Sequence, residues 1–243
     1  MSQVTEGRNG RGNAVLAAGI FLGLVALGLL LGRGALQVRQ LDRTVTVKGL
    51  AERDVPADIA LWPVQFSAAS NDAAGLYTTI EKNADTVVGF LKQAGFNDDE
   101  ITVAPAAVTD KLAEQWGGGG AIPLRYTATR TVTVYSPRID LVRTTQKRLG
   151  ELGQRGIVLG GNQFQAQTQY IFTKLNELKP GMIEEATRNA REVAAKFAQD
   201  SQSRLGRIKS AQQGQFTVED RDQNNTHIKK VRVVSTVEYY LVD

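Results

Sequence analysis

From Arg125 to Tyr135 the chain reads RYTATRTVTVY. The alternation has a period of two, the period of a β-strand. Tyr126, Ala128, Val132 and Val134 share one face with Arg130, and Thr127, Thr129, Thr131 and Thr133 share the other. Beyond it the period changes. Ser136-Pro137 reads as a cap with proline at the first helical position. Val142, Thr145, Leu149 and Leu152 then mark a helix closed by Gly153 and Gly156.

Upstream, Ile101–Val108 reads as a strand, and Lys111–Leu124 holds four glycines, Gly117 to Gly120, in a loop between strands. No Lys-Ser/Thr follows those glycines, so a phosphate cradle is not indicated. Asn71 or Asp72 caps a helix whose Leu76, Ile80, Ala84, Val87, Val88 and Leu91 recur at a 3.6 period, ending at Gly95. Thr44–Lys48 and Ile59–Ser67 read as strands. Pro63 inside the second implies an edge position or a bulge.

Downstream, Ile157–Phe172 alternates, with Gln163, Gln165, Gln167 and Gln169 on a solvated face. A subunit contact or polar channel lining is the other reading of that row. Pro180 opens a third helix with an expected buried stripe of Ile183, Ala186, Ala190, Val193, Ala194 and Phe197. Arg207–Val218 and Ile228–Val242 read as the last two strands. The order β-β-α-β-β-α-β-α-β-β contains a β-α-β-β unit twice, at about 58–135 and 157–242. The fold class is α+β, with helices packed on antiparallel sheet.

The bulk numbers exclude several chemistries. No cysteine is present, which removes disulfides and thiolate sites. His227 is the one histidine, which removes multi-histidine metal centres. The net charge is +4, with acidic and basic residues interspersed, so a nucleic-acid footprint is absent.

Ala14 to Gly32 reads AVLAAGIFLGLVALGLLLG, nineteen residues without a charge. As a helix this is about 28 Å long, close to a hydrocarbon core of about 30 Å. It is too long for the apolar region of a signal peptide, and no clear cleavage site follows. The expected organisation is a short tail over 1–13, a transmembrane anchor in membrane lipid over 14–32, a linker over 33–42 and a domain over 43–243. Gly19 with Gly23, and Gly28 with Gly32, fit a small-xxx-small helix-packing pattern, although glycine is common in membrane helices. Flanking arginines leave the orientation open.

No residue is assigned to catalysis, to a cofactor or to a metal. Asp220, Asp222 and Asn224 have the spacing that opens a calcium loop. Asn225 and Val231 stand where that loop needs glycine and glutamate, so a polar hairpin tip is the better reading. His227 borders the tip, within reach of Asp220 or Asp222 but with no serine identifiable as a nucleophile. A lone histidine there is expected to be exposed. Lys209, Lys229, Lys230 and Arg232 could form a basic patch, or simply a scattered charged face. Asp98, Asp99 and Glu100 read as an acidic turn.

Thr44-Val45-Thr46-Val47-Lys48-Gly49, Glu52 and Val55-Pro56-Ala57-Asp58 resemble the opening of the SIMPL-domain family. Ala94-Gly95-Phe96 before Asp99-Glu100-Ile101 continues the likeness. So do Gly161-Asn162 with Phe164, and Ala186, Ala190, Ala194, Lys196 and Ala198 ahead of Leu205-Gly206. The likeness covers about 43–243. It implies an α+β bacterial envelope protein, exported to the periplasm, self-associating and linked to envelope or oxidative stress, with no established catalytic residues. It also implies a cytoplasmic N-terminus and a periplasmic domain. The expected function is a non-enzymatic, inner-membrane-anchored protein that forms a homo-oligomer, with a ring as one form it could take. The alternative is a monomeric binding module for an envelope ligand or protein partner.

Overall fold

The computed structural model describes residues 10–40, 43–113, 123–160 and 167–242. The chain forms two compact units. One draws on residues up to Ala51, on Ile183–Gln215 and on Val233 onward; the other on Glu52–Met182 and Phe216–Arg232.

The larger unit is built on β2 (Ile59–Ser70) and β5 (Tyr126–Ser136), paired antiparallel from Ala60↔Ser136 to Ser70↔Tyr126. On β5 lie β3 (Ile101–Val103) and β4 (Ala107–Asp110); on β2 lie β6 (Val158–Leu159) and β7 (Gln169–Ile171). Helix α2 (Ala73–Ala94) covers the apolar face. Asp72 caps it by accepting from the Ala74 and Gly75 amides, and Gly95 ends it at φ 108°. Trp62, Val64 and Phe66 of β2, Val132 and Val134 of β5, and Leu76, Ile80, Val87, Phe90 and Leu91 of α2 form the core. Each large side chain buried this way contributes about 1.5–3 kcal/mol. Arg130, on the same face of β5, reaches out of it to Glu81 on α2 and donates from Nε to the Ala104 carbonyl.

The smaller unit holds most of β1 (Thr44–Pro56), all of β8 (Arg204–Gln213), the C-terminal part of β10 (Ile228–Val242) and most of α5 (Leu175–Asp200). Its sheet order is β1-β10-β8. Val47, Ala190, Ala194, Val237 and Tyr239 form its core. In the larger unit, β9 (Thr217–Asp220) pairs with the start of β10, from Lys229↔Asp220 to Arg232↔Thr217.

Several expectations are corrected. The strand foreseen over Ile101–Val108 is two strands, because Pro105 between them has no N–H to give a ladder. The register against β5 slips by one residue there, from Val103↔Val132 to Ala107↔Thr129. The helix over Val142–Leu152 is also two, α3 (Ile139–Gln146) and α4 (Gly150–Gln154). Between them the Arg148 and Leu149 amides bond the carbonyls three residues back, tightening the chain ahead of Gly150. Proline does not open α5: the helix starts at Leu175 and Pro180 lies inside it.

The strand over Ile157–Phe172 reduces to β6 and β7. Of its glutamine row, Gln163 and Gln165 lie outside the described residues, and Gln169 is exposed. The glycines 117–120 also lie outside them. Pro63 falls between Leu61, where β7 pairing ends, and Phe66, where β6 pairing begins, so β2 tolerates it. The first β-α-β-β unit closes on itself, but the second does not. Its leading strands β6 and β7 join β2, while β10 takes β1 as its neighbour.

Helix α1 (Gly10–Gln40) has 31 residues. Among the described residues no helix is long and apolar enough to cross a membrane. The side chains described in α1 are those of 16–32, a run of seventeen. The structure thus shows a helix over the expected anchor 14–32, not a span.

Candidate functional site

The loop between β9 and β10 is built by its own polar residues. Oδ1 of Asp222 accepts from the Asn224 and Asn225 amides, at 3.0 and 2.9 Å, and Oδ2 accepts from Arg221 Nε at 3.0 Å. Asp220 takes the Lys229 ammonium. These bonds occupy the carboxylates whose spacing resembles a calcium loop, so their work is to shape the hairpin tip.

That loop places His227, which is half-buried rather than exposed. Its carbonyl accepts from the Ala57 amide at 2.8 Å. Tyr170 of β7 meets the imidazole edge-on, 6.0 Å between centroids. The ring is a wall common to two clefts. One, of about 460 Å³, lies among Pro56, Ala57, Arg138, Asp140 and Leu141. The other, of about 370 Å³, is lined by Arg143, Gln146, Lys147, Tyr170, Asn224, Thr226 and His227. Burial, then the Arg143 and Arg221 guanidiniums, hold His227 below its ordinary 6.5. Burial raises the Tyr170 phenol above its usual value. Gln146 orders the floor: its amide nitrogen donates to Thr168 Oγ1 at 2.6 Å, and its oxygen accepts from Tyr170 at 3.4 Å.

The acidic turn proves to be more than surface. Glu100 is buried and holds three donors: the Arg138 guanidinium, Ser136 Oγ and the Asn97 amide. Burial pushes its carboxyl up, but these hydrogen bonds outweigh it and the group titrates below 4.5. The bond to Asn97 closes half of a capping box, a signal present in Asn97-Asp98-Asp99-Glu100. The partner Arg138, on the rim of the larger cleft, gave no local signal.

Three of the four residues of the expected basic patch are paired, and the fourth, Lys230, is exposed. Lys209 binds Glu238, Lys229 binds Asp220 and Arg232 binds Glu52. On α1, nothing lies within 4 Å of where a Cβ would stand at Gly19, Gly23, Gly28 or Gly32. Gly19 and Gly28 are nine residues apart, about two and a half helical turns. The two glycine pairs therefore lie on opposite sides of α1.

The fold and these clefts define an α+β protein of antiparallel sheets with no catalytic constellation among the described residues. The chain belongs to the SIMPL family: the model of that family, described as a protein of unknown function (DUF541), matches residues 45–238. No curated protein matches the chain.

Proposed function

We propose that the protein is a membrane-anchored envelope protein, its SIMPL domain in the periplasm, which acts by self-assembly rather than by catalysis. One observation carries this reading: large apolar side chains stand outside both cores. Along α1 they are exposed from Leu16 to Leu31, with values between 43% and 67%. On α5 the outward side chains Val193 and Phe197 are 39% and 56% exposed, one helical turn apart. Apolar surface of this kind costs free energy in water and is used against lipid or another chain. The apolar length of 14–32 supports lipid as the neighbour of α1. The resemblance of the domain to envelope proteins that self-associate supports a second copy as the neighbour of α5.

The test is the mass of the full-length protein in detergent beside that of a version beginning at Leu41. Discrete oligomers in both would locate assembly in the domain and leave α1 as tether. Monomers in both would sink the assembly reading and leave a monomeric binding module.

A further inference from the structure

The smaller cleft beside His227 has a donor set that the assembly reading does not use. Its lining contains two cations and no carboxylate. Arg143 pairs with Asp140 at 3.8 Å, and that carboxylate is 98% exposed, so the pair is weak. Asp222, the other acid near the ring, is committed to Arg221 and the Asn225 side chain. Gln146 is bonded to both Tyr170 and Thr168. The remaining residues that line the cleft are Arg143, Lys147, Asn224, Thr226 and His227.

We propose that this cleft binds a phosphate group, lodged between Arg143 and Lys147 on one side and Asn224, Thr226 and His227 on the other. Cations near the end of α3 would be expected from the helix dipole alone. The dipole does not explain why the β9–β10 loop brings three neutral donors to the same hollow. A guanidinium and an ammonium facing neutral donors suit an anion with several oxygens better than a single carboxylate. The low titration of His227 has burial as its first cause, and the Arg143 and Arg221 guanidiniums add to it against Asp140 and Asp222. The proposal is independent of self-assembly and survives if the protein is a monomer.

The single histidine makes the test direct. The full-length protein, with histidine labelled isotopically, is placed in nanodiscs of neutral lipid and titrated with inorganic phosphate in a non-phosphate buffer. The expected result is a saturable shift of the imidazole signals and a rise in the His227 midpoint. Arg143→Gln with Lys147→Gln should weaken that response tenfold or more while the melting temperature stays within a few degrees of the unsubstituted protein's. A second arm omits phosphate and uses nanodiscs containing phosphatidic acid; a response there would identify a lipid headgroup as the source of the same phosphate. Absence of saturation in both arms, up to the order of tens of millimolar phosphate, would overturn the site. So would an equal response to chloride at matched ionic strength, or an unchanged response in the double variant.

Discussion

Gly49 has the closest approach to another element of any glycine among the described residues. A Cβ there would lie 1.8 Å from the Ala186 carbonyl oxygen and 2.5 Å from the Ala190 nitrogen. Both contacts are to helix backbone, which cannot swing aside as a side chain can. Asn189 seals the approach by donating to the Leu50 carbonyl at 2.8 Å. Gly49→Ala should therefore destabilise the protein by about 3 kcal/mol or more, well beyond an ordinary surface change. Denaturant unfolding would measure it; a change under about 0.5 kcal/mol would mean that the helix is free to move away.

Glu100 makes a residue-scale prediction of the opposite kind, electrostatic rather than steric. Its carboxyl titrates below 4.5 in the folded protein. A depressed carboxylate stabilises the fold above its unfolded value and loses that contribution as pH falls through the folded value. Glu100→Gln should cost about 2 kcal/mol at neutral pH, the scale of hydrogen bonds to a charged group. It should also flatten the loss of stability below pH 4.5. Melting temperatures of both proteins at a series of pH values would check this; parallel curves would exclude Glu100 as a source of the acid dependence.

At the scale of elements, α5 is the instructive case. The stripe expected to face inward mixes Ile183, Val193 and Phe197 with Ala186, Ala190 and Ala194. The structure buries those alanines, together with Met182 and Ala198, and leaves Val193 and Phe197 outside. Spacing of four residues picks out the alanine row as readily as the mixed row. What decides between them is the depth available at Gly49, where only a methyl fits. Ala190→Leu should thus cost about 1–3 kcal/mol by overpacking. Phe197→Glu should leave the melting temperature nearly unchanged and reduce the assembly proposed for the outer face of α5. Light scattering on full-length protein would show an undiminished mass if that face is not an interface.

Strand β5 shows what period alone can deliver. Ala128, Val132 and Val134 are buried as the alternation implies. The partners of β5 were not legible, because pairing depends on residues far apart in the chain. Pro105 divides one partner in two, and Gly150 comes where one helical stripe becomes two short helices. Those residues are plain in the sequence, but each breaks a pattern that continues on both sides of it. The candidate cleft was less legible still. His227 was evident as the lone imidazole, yet its neighbours Arg143, Lys147 and Tyr170 come from two other elements with no motif between them.

At the scale of the whole molecule, the chain divides into two units whose boundaries fall inside β1, α5 and β10. Removing residues 1–40 should leave the SIMPL domain folded, since both cores lie beyond them. The shortened protein should move from the membrane fraction to the soluble fraction with its melting temperature within a few degrees of the full-length value. Retention in the membrane fraction would show that the domain itself holds lipid or a membrane partner.

The sequence by itself determined the local events: the α+β class, a cap at Asn71 or Asp72 and the end at Gly95, the alternating faces of β5 and the apolar run from Ala14 to Gly32. These follow from propensity and periodicity, which act between near neighbours. Only the tertiary structure decided that β10 takes β1, that β6 and β7 join β2, that α5 leaves Val193 and Phe197 outside and that Glu100 meets Arg138. Those outcomes rest on contacts between residues far apart in the chain, where burial and close packing choose among local patterns that are otherwise equally sound.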